Sequence, residues 1–206
     1  MSRKKLLLFL IILTVAASGT VFAGGRKEMP VEEPEAPAES SAPVVAEKPE
    51  SDAPSYPPAG WVTDVREAVR KAEAEDKEIL IDFTGSDWCV WCQKLEKEVF
   101  STREFMEYAE ENLVLLFVDF PSGIDLSEQQ MMHNQMLAQL MSVQGYPTIW
   151  LMEKDLAPIM ATGYRDGGVE EYIRHLEEDR PEVSKTQKDE FRASLRSALE
   201  ANLGSF

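Results

Sequence analysis

Four apolar runs after residue 60 predict the strands of a sheet. Ile79–Phe83 and Leu113–Asp119 are short, continuous and rich in β-forming residues, as buried strands are. We expect them to pair in parallel through a right-handed crossover. Pro147–Met152 and Pro158–Thr162 are joined by a short polar turn, which implies an antiparallel hairpin in the same sheet.

Helical periodicity fills the intervals between these runs. Ser101 is the predicted N-cap of one helix, with Glu104 three residues later as its capping-box partner. Helices on both faces of one sheet make an α/β sandwich. The predicted helices start at Thr63 or Asp64, at Cys89, after Ser101, at Ser127, after Gly168 and at Lys185.

The first residues have the organisation of a secretory signal peptide. A basic start is followed by the apolar run Leu6–Ala17 and by small residues that end at Ala23. We therefore predict a signal peptide over residues 1–23 and an exported, periplasmic protein. The alternative is an uncleaved N-terminal anchor that leaves the chain facing the periplasm, although the apolar run is shorter than the roughly 20 residues of a spanning helix.

Residues 24–60 have the composition of a linker. Eight of the chain's twelve prolines and many Glu, Ala and Ser residues fall there, with few large apolar side chains. Such a segment buries too little surface to offset its ordering entropy, so we expect it to be disordered. The remaining chain divides into a folded domain over residues 61–180 and a helical extension over residues 181–206.

The charge of the chain argues against one class of partner. The formal net charge is −16 at pH 7. Nucleic-acid binding depends on basic patches that neutralise phosphates, so we expect no nucleic-acid partner.

The chain's only cysteines, Cys89 and Cys92, stand three positions apart between a predicted strand and a predicted helix. A disulfide between them would close too small a loop to stabilise the fold much. At a helix N-terminus, Cys89 would have a lowered pKa and a reactive thiolate. Cys92 would lie inward, one turn later, where it could attack a mixed disulfide held on Cys89.

Other interpretations of the cysteine pair need residues that are missing at the right spacing. Structural zinc takes four ligands, and His133 and His175 have no partners at ligand spacing. A c-type haem needs His after the second cysteine, where Gln93 stands. An inert buried pair is the third alternative.

Copper could be bound by His133 and by the nearby methionines, although methionine also fills gaps in protein cores. The methionines are Met131, Met132, Met136 and Met141.

A larger set of motifs resembles the thioredoxin family. The strand Ile79–Phe83, the sequence Trp88-Cys89-Val90-Trp91-Cys92 and the later Gly145-Tyr146-Pro147-Thr148 occur in the order typical of that family. The stretch from Phe83 to Ser101 is similar to exported bacterial thioredoxin-like proteins and to the periplasmic thioredoxin-like domain of the transmembrane disulfide reductase. The resemblance covers about residues 61–178. It implies a thioredoxin fold, with a mixed sheet of about four strands and an extra C-terminal helix.

The resemblance also implies the catalytic residues. Cys89 matches the attacking cysteine and Cys92 the resolving cysteine. Asp82 aligns with the buried acid that takes the proton of the resolving cysteine, although it lies seven residues before Cys89, one more than is common in thioredoxins. The alternative is a strand-end aspartate that bonds to backbone or solvent. Asp87, within this longer loop, adds negative charge near Cys89 that would oppose thiolate formation.

Substrate-binding residues follow from the same resemblance. Pro147 matches the cis-proline that faces the dithiol, and the backbone of Tyr146 before it would pair with a substrate strand. Trp88 would provide an apolar contact surface beside the first cysteine. Trp91 either joins that surface or packs against the first helix.

The function implied is a thiol–disulfide oxidoreductase that acts on protein disulfides outside the cytoplasm, as a reductase in preference to an oxidase. The dithiol is its own redox carrier, so we expect no cofactor and no metal. The expected partners are protein disulfide substrates and an upstream thiol electron donor, for which a membrane-embedded protein is one option. The oligomeric state is left open. The alternative function is a non-catalytic thioredoxin-fold binding module.

Overall fold

The computed structural model describes residues 56–204. The predicted signal peptide and most of the predicted linker lie outside the described residues. The elements are β1 (Trp61–Val62), α1 (Val65–Glu75), β2 (Glu78–Thr84), α2 (Val90–Leu95) continued by a π-helical turn (Glu96–Phe100), α3 (Arg103–Asn112), β3 (Leu113–Asp119), α4 (Glu128–Leu140), β4 (Thr148–Met152), β5 (Pro158–Thr162), α5 (Gly168–Glu178) and α6 (Lys185–Leu203).

The strands form one mixed sheet in the order β1-β3-β2-β4-β5. β2 pairs with β3 in parallel and with β4 antiparallel, and β4 pairs antiparallel with β5. This confirms the predicted α/β architecture, its parallel pair and its hairpin. The sheet has a fifth strand beyond the four expected, because β1 contributes two residues beside β3 and is too short to give a periodic pattern.

Two hydrophobic clusters cover the two faces of the sheet. Successive β2 residues alternate between them: Ile81 belongs to the cluster with α1, α4 and α6, and Leu80 to the cluster with the π-helical turn, α3 and α5. Side chains two apart in a strand share a face, so Asp82 lies on the same face as Leu80. The fold therefore places Asp82 beneath the helix that carries the cysteines.

One predicted cap is wrong. The N-cap of α3 is Thr102, whose hydroxyl accepts the N–H of Phe105 at 3.2 Å, whereas Ser101 ends the preceding helix and donates its hydroxyl to the carbonyl of Glu96 at 2.8 Å. The π-helical turn carries that preceding helix on to Phe100. Thr102, rather than Ser101, is thus the first residue with the extended backbone that an N-cap requires.

The C-terminal helix α6 is present and packs on the sheet. Leu195 and Leu199 are buried in the cluster with α1 and α4, and Phe191 lies 5.6 Å from the ring of Trp150 on β4. Arg66 of α1 donates to the carbonyl of Leu203 at 3.0 Å. The helix therefore covers the β4 side of this face. Within residues 56–204, no helix has the length and apolar character needed to cross a bilayer.

Candidate dithiol site

Cys89 and Cys92 form a disulfide at the start of α2, with their Cα atoms 5.2 Å apart. Cys89 is the N-cap residue, and its sulfur accepts the backbone N–H of Cys92 at 3.2 Å. A hydrogen bond to the charged form of a group lowers its pKa, so this N–H would favour a Cys89 thiolate after reduction. Only 7% of Cys89 and 4% of Cys92 is exposed, which limits access to the sulfurs from solvent.

Asp82 lies close enough to Cys92 to line the same cavity, despite the longer loop between them. It is buried, and within the described part of the chain its Oδ1 has no hydrogen-bond partner. Burial raises the pKa of Asp82 well above its ordinary value, and the negative charges of Glu96 and Asp119 raise it further. Its surroundings therefore favour the protonated form of the carboxyl group, at the cavity that Cys92 also lines.

The cavity that joins these groups has a volume of about 650 Å³. The last residues of the predicted linker form part of its wall: Tyr56, whose ring meets that of Phe117 edge-on at 5.9 Å, and Pro58. Residues 56–60 therefore pack against the domain instead of continuing a disordered linker. The other wall residues include Thr84, Ser86, Gln93, Lys97, Ser101 and Ile124.

Glu96 is a site residue that the sequence analysis missed. It lies four residues after Cys92, lines the same cavity, and has a pKa raised by burial. Residues four apart on a helix share a face, so its spacing from Cys92 was the available signal. The spacing alone does not single it out, because its importance comes from the cavity it shares with Asp82.

The predicted substrate-binding residues also lie together. The peptide bond between Tyr146 and Pro147 is cis, as the resemblance implies. The ring of Trp88 meets that of Tyr146 edge-on at 5.8 Å. Trp88 is 47% exposed, although its indole N–H donates to the carbonyl of Phe120 at 2.7 Å. Cys89 therefore directly follows an exposed aromatic residue, Trp88, whose ring packs against Tyr146.

Trp91, between the cysteines, packs against Tyr164 rather than against the first helix. The two rings lie 5.2 Å apart, and the ammonium group of Lys94 lies over both. Trp91 keeps 55% of its surface exposed, so it extends the apolar surface on the other side of the dithiol.

The histidines have structural contacts. His133 accepts the N–H of Val65 at 3.3 Å, and burial lowers its pKa. The ring nitrogens of His175 lie 2.9 Å from Asp179 and 3.0 Å from Thr162. Across residues 56–204, no three His, Cys, Asp or Glu side chains form a group suited to a metal ion.

Comparison with known proteins agrees with this geometry. A family model described as thioredoxin-like matches residues 60–154. The disulfide bond reductase DsbH of Chlamydia pneumoniae is 32% identical over 107 residues, which make up 52% of this chain and 64% of DsbH. The thioredoxin-related protein DsbJ of the same organism is 26% identical over 103 residues, 50% of this chain and 30% of DsbJ. The alignments thus span less than two thirds of either relative.

A solved structure supports the same relationship. The structure of a DsbH oxidoreductase superposes with a TM-score of 0.54 at 30% sequence identity, covering 56% of this chain and 80% of that one. The range matched by the family model, residues 60–154, includes the cysteine pair, the buried acid and the cis-proline.

Proposed function

We propose that this chain, which belongs to the thioredoxin-like family, is a thiol–disulfide oxidoreductase. In this proposal it reduces protein disulfides outside the cytoplasm. The observation that carries the proposal is the Cys89–Cys92 disulfide at the start of α2, near the buried carboxyl group of Asp82, whose Oδ1 has no hydrogen-bond partner among residues 56–204. In this proposal Cys89 attacks, Cys92 resolves and Asp82 exchanges the proton of Cys92.

The reaction transfers two electrons in two exchange steps. In the reduced protein, the Cys89 thiolate attacks a substrate disulfide, forms a mixed disulfide, and expels one substrate thiolate, which takes up a proton. The Cys92 thiolate then attacks the Cys89 sulfur and expels the second substrate thiolate. The substrate gains two electrons and two protons, and the protein returns to the disulfide form described above. An upstream thiol donor must supply the electrons for the next cycle.

Asp82 supports the second step. Cys92 is buried and needs a base before it can attack, and Asp82 lines the same cavity. A carboxyl group with a raised pKa is better matched to a thiol proton than an ordinary aspartate is. Burial keeps that pKa raised, and the negative charge of Glu96 at the same cavity adds to the effect.

Two observations favour the reductase direction. A dithiol becomes a strong oxidant when its reduced form is stabilised, as when a thiolate has a low pKa. Here the carboxyl groups of Asp82 and Glu96 line the cavity next to Cys92, and in their ionised form they oppose a thiolate on Cys92 in the reduced protein. The relative DsbH is itself named a disulfide bond reductase.

Protein substrates would bind across the aromatic surface. Trp88 and Trp91 are exposed beside the cysteines, and Tyr146 contacts Trp88 from the cis-proline segment. Large aromatic side chains bury much apolar area on binding. We propose that the backbone of Tyr146, next to Pro147, pairs with an extended substrate segment.

The location and the electron donor are proposed from the sequence. The signal-like first 23 residues support an exported, periplasmic protein. Electrons outside the cytoplasm would come from a thiol donor, and a membrane-embedded donor could bring them from the cytoplasm.

Trapping of the mixed disulfide tests this function. Reduced Cys92→Ser protein, incubated with a disulfide-containing protein such as insulin, should accumulate a covalent complex that dithiothreitol releases. Cys89→Ser, the matched control, should form none, and neither variant should turn over insulin. Turnover by Cys89→Ser would overturn the proposal.

A further inference from the structure

The loop that precedes the dithiol is joined to the end of β3 and to the loop after it by three consecutive residues. Ser86 donates its N–H and hydroxyl to Asp119 at 2.9 and 2.6 Å. Asp87 accepts the backbone N–H groups of Ser122 and Gly123, and Trp88 donates to Phe120. We call these contacts the β3-loop latch: Ser86, Asp87 and Trp88 on one side and Asp119, Phe120, Ser122 and Gly123 on the other.

Asp87 makes the charged contact of this latch. Its carboxylate oxygens lie 2.9 and 3.0 Å from the nitrogen of Ser122 and 2.5 Å from that of Gly123. These backbone bonds lower the pKa of Asp87, so the group is ionised at neutral pH and its hydrogen bonds are charge-assisted. A Cβ atom at position 123 would lie 3.1 Å from the carboxylate, so glycine there leaves room for it.

The charge of Asp87 is thus directed at two backbone N–H groups. This modifies the expectation that Asp87 acts on the thiolate as a simple neighbouring charge. The loop between Asp82 and Cys89 is one residue longer than is common in thioredoxins, and the latch fixes the part of it that contains Asp87.

Trp88 is held by the same latch. Its indole packs so closely on Gly85 that a Cβ atom there would lie 2.4 Å from the ring. Its N–H is bonded to Phe120, and its ring edge meets Tyr146 at 5.8 Å. An exposed tryptophan is therefore kept in one orientation beside Cys89, on the surface proposed to receive the substrate.

We infer that Asp87 is a positioning residue for protein substrates: by fixing residues 122–123 against the dithiol loop, it holds Trp88 in the orientation that a substrate protein contacts. This inference rests on the proposed function. The reactivity of Cys89 toward small molecules depends instead on α2 and the N–H of Cys92, which Asp87 does not contact. Loss of the latch should therefore weaken productive binding of protein disulfides and leave the thiol chemistry intact.

The test compares Asp87→Ala, Asp87→Asn and Asp125→Ala. Asn keeps one side-chain oxygen that can accept a backbone N–H. Asp125 is exposed, lies two residues after Gly123, and has no hydrogen-bond or ion-pair partner among residues 56–204, so its loss controls for charge alone. Two readouts are needed: kcat and KM for insulin reduction, and the rate at which Cys89 in the reduced protein is alkylated by iodoacetamide across pH.

For Asp87→Ala we expect KM for insulin to rise about fivefold to tenfold, with kcat and the alkylation rate within about twofold of wild type. Asp87→Asn should recover at least half of the loss, and Asp125→Ala should match wild type. An unchanged KM in Asp87→Ala, or an equal rise in Asp125→Ala, would overturn the latch while leaving the proposed function standing. A wild-type protein that reduces no insulin would overturn both.

Discussion

Glu96 and Asp82 line the same cavity, and the negative charge of Glu96 adds to the effect of burial in raising the pKa of Asp82. Cys92 lies at this cavity too, four residues before Glu96 on the same helical segment. Cys92 is therefore accompanied by two carboxyl groups, and the charge of one raises the pKa of the other.

Replacing Glu96 should shift the pH dependence of thiol exchange. Glu96→Gln removes a negative charge that helps burial to hold the proton on Asp82, so the pKa of Asp82 should fall. The pH midpoint for resolution of the mixed disulfide, followed by stopped-flow product release, should move down with it. Glu104→Gln, an exposed position at the start of α3, is the control; an equal shift there would contradict the prediction.

Asp82 should reduce the stability of the folded protein as pH rises. Its pKa in the fold is above the ordinary value of 3.8, so between these values the folded chain binds more protons than the unfolded chain. The free energy of unfolding therefore falls as pH rises through this window and stays low above it.

Asp82→Asn removes that penalty. In the disulfide form, the variant should be more stable than wild type by about 1–3 kcal/mol above the window, and the difference should shrink toward about pH 4. Denaturant unfolding at several pH values measures this. A difference that does not change with pH would show that Asp82 is not the titrating group.

The N-cap of α3 leads to a prediction about the adjacent residues Ser101 and Thr102. Thr102→Ala removes the acceptor for the Phe105 N–H and should cost about 1 kcal/mol of the free energy of unfolding. Ser101→Ala leaves that cap in place and should cost less. Denaturant unfolding of both variants checks the order, and a larger loss for Ser101→Ala would favour the cap first predicted from the sequence.

Helix α6 should stabilise the domain through its buried leucines. Leu199 is fully buried in the cluster that contains α1 and α4, so Leu199→Ala should lower the free energy of unfolding by about 2–5 kcal/mol. Ser194→Ala, on the exposed side of α6, should change it by less than about 0.5 kcal/mol. Similar small effects for both variants would mean that α6 is not part of the folded core.

The sequence was most informative where one short segment contains the whole signal. Leu113–Val118 is apolar throughout because β3 is buried on both faces. The spacing of the cysteine pair, likewise, is enough to indicate thiol–disulfide chemistry. Glu96 was missed because its importance comes from the cavity it shares with Asp82, fourteen residues earlier in the chain. The Ser101 cap was wrong because nothing in the residue types distinguishes a π-helical turn from an ordinary one.

Contacts between segments that are distant in the sequence could not be predicted from local patterns either. Trp91 packs on Tyr164, and Asp87 binds backbone N–H groups at Ser122 and Gly123, pairs that no local pattern connects. Tyr56 belonged by composition to a linker, yet its ring packs on Phe117 at the cavity. The contacts of Asp87 depend on the sheet order, which brings the ends of β2 and β3 side by side.

The reduction potential of the Cys89–Cys92 couple tests the central claim most directly. The protein is equilibrated with mixtures of reduced and oxidised dithiothreitol or glutathione, and the fraction in the disulfide form is measured by thiol labelling. A reductase should give a value near that of thioredoxin, about −270 mV. A value near about −120 mV, that of a strong oxidant, would contradict the proposed direction. Failure to form a reversible disulfide between the two cysteines would contradict the redox function itself.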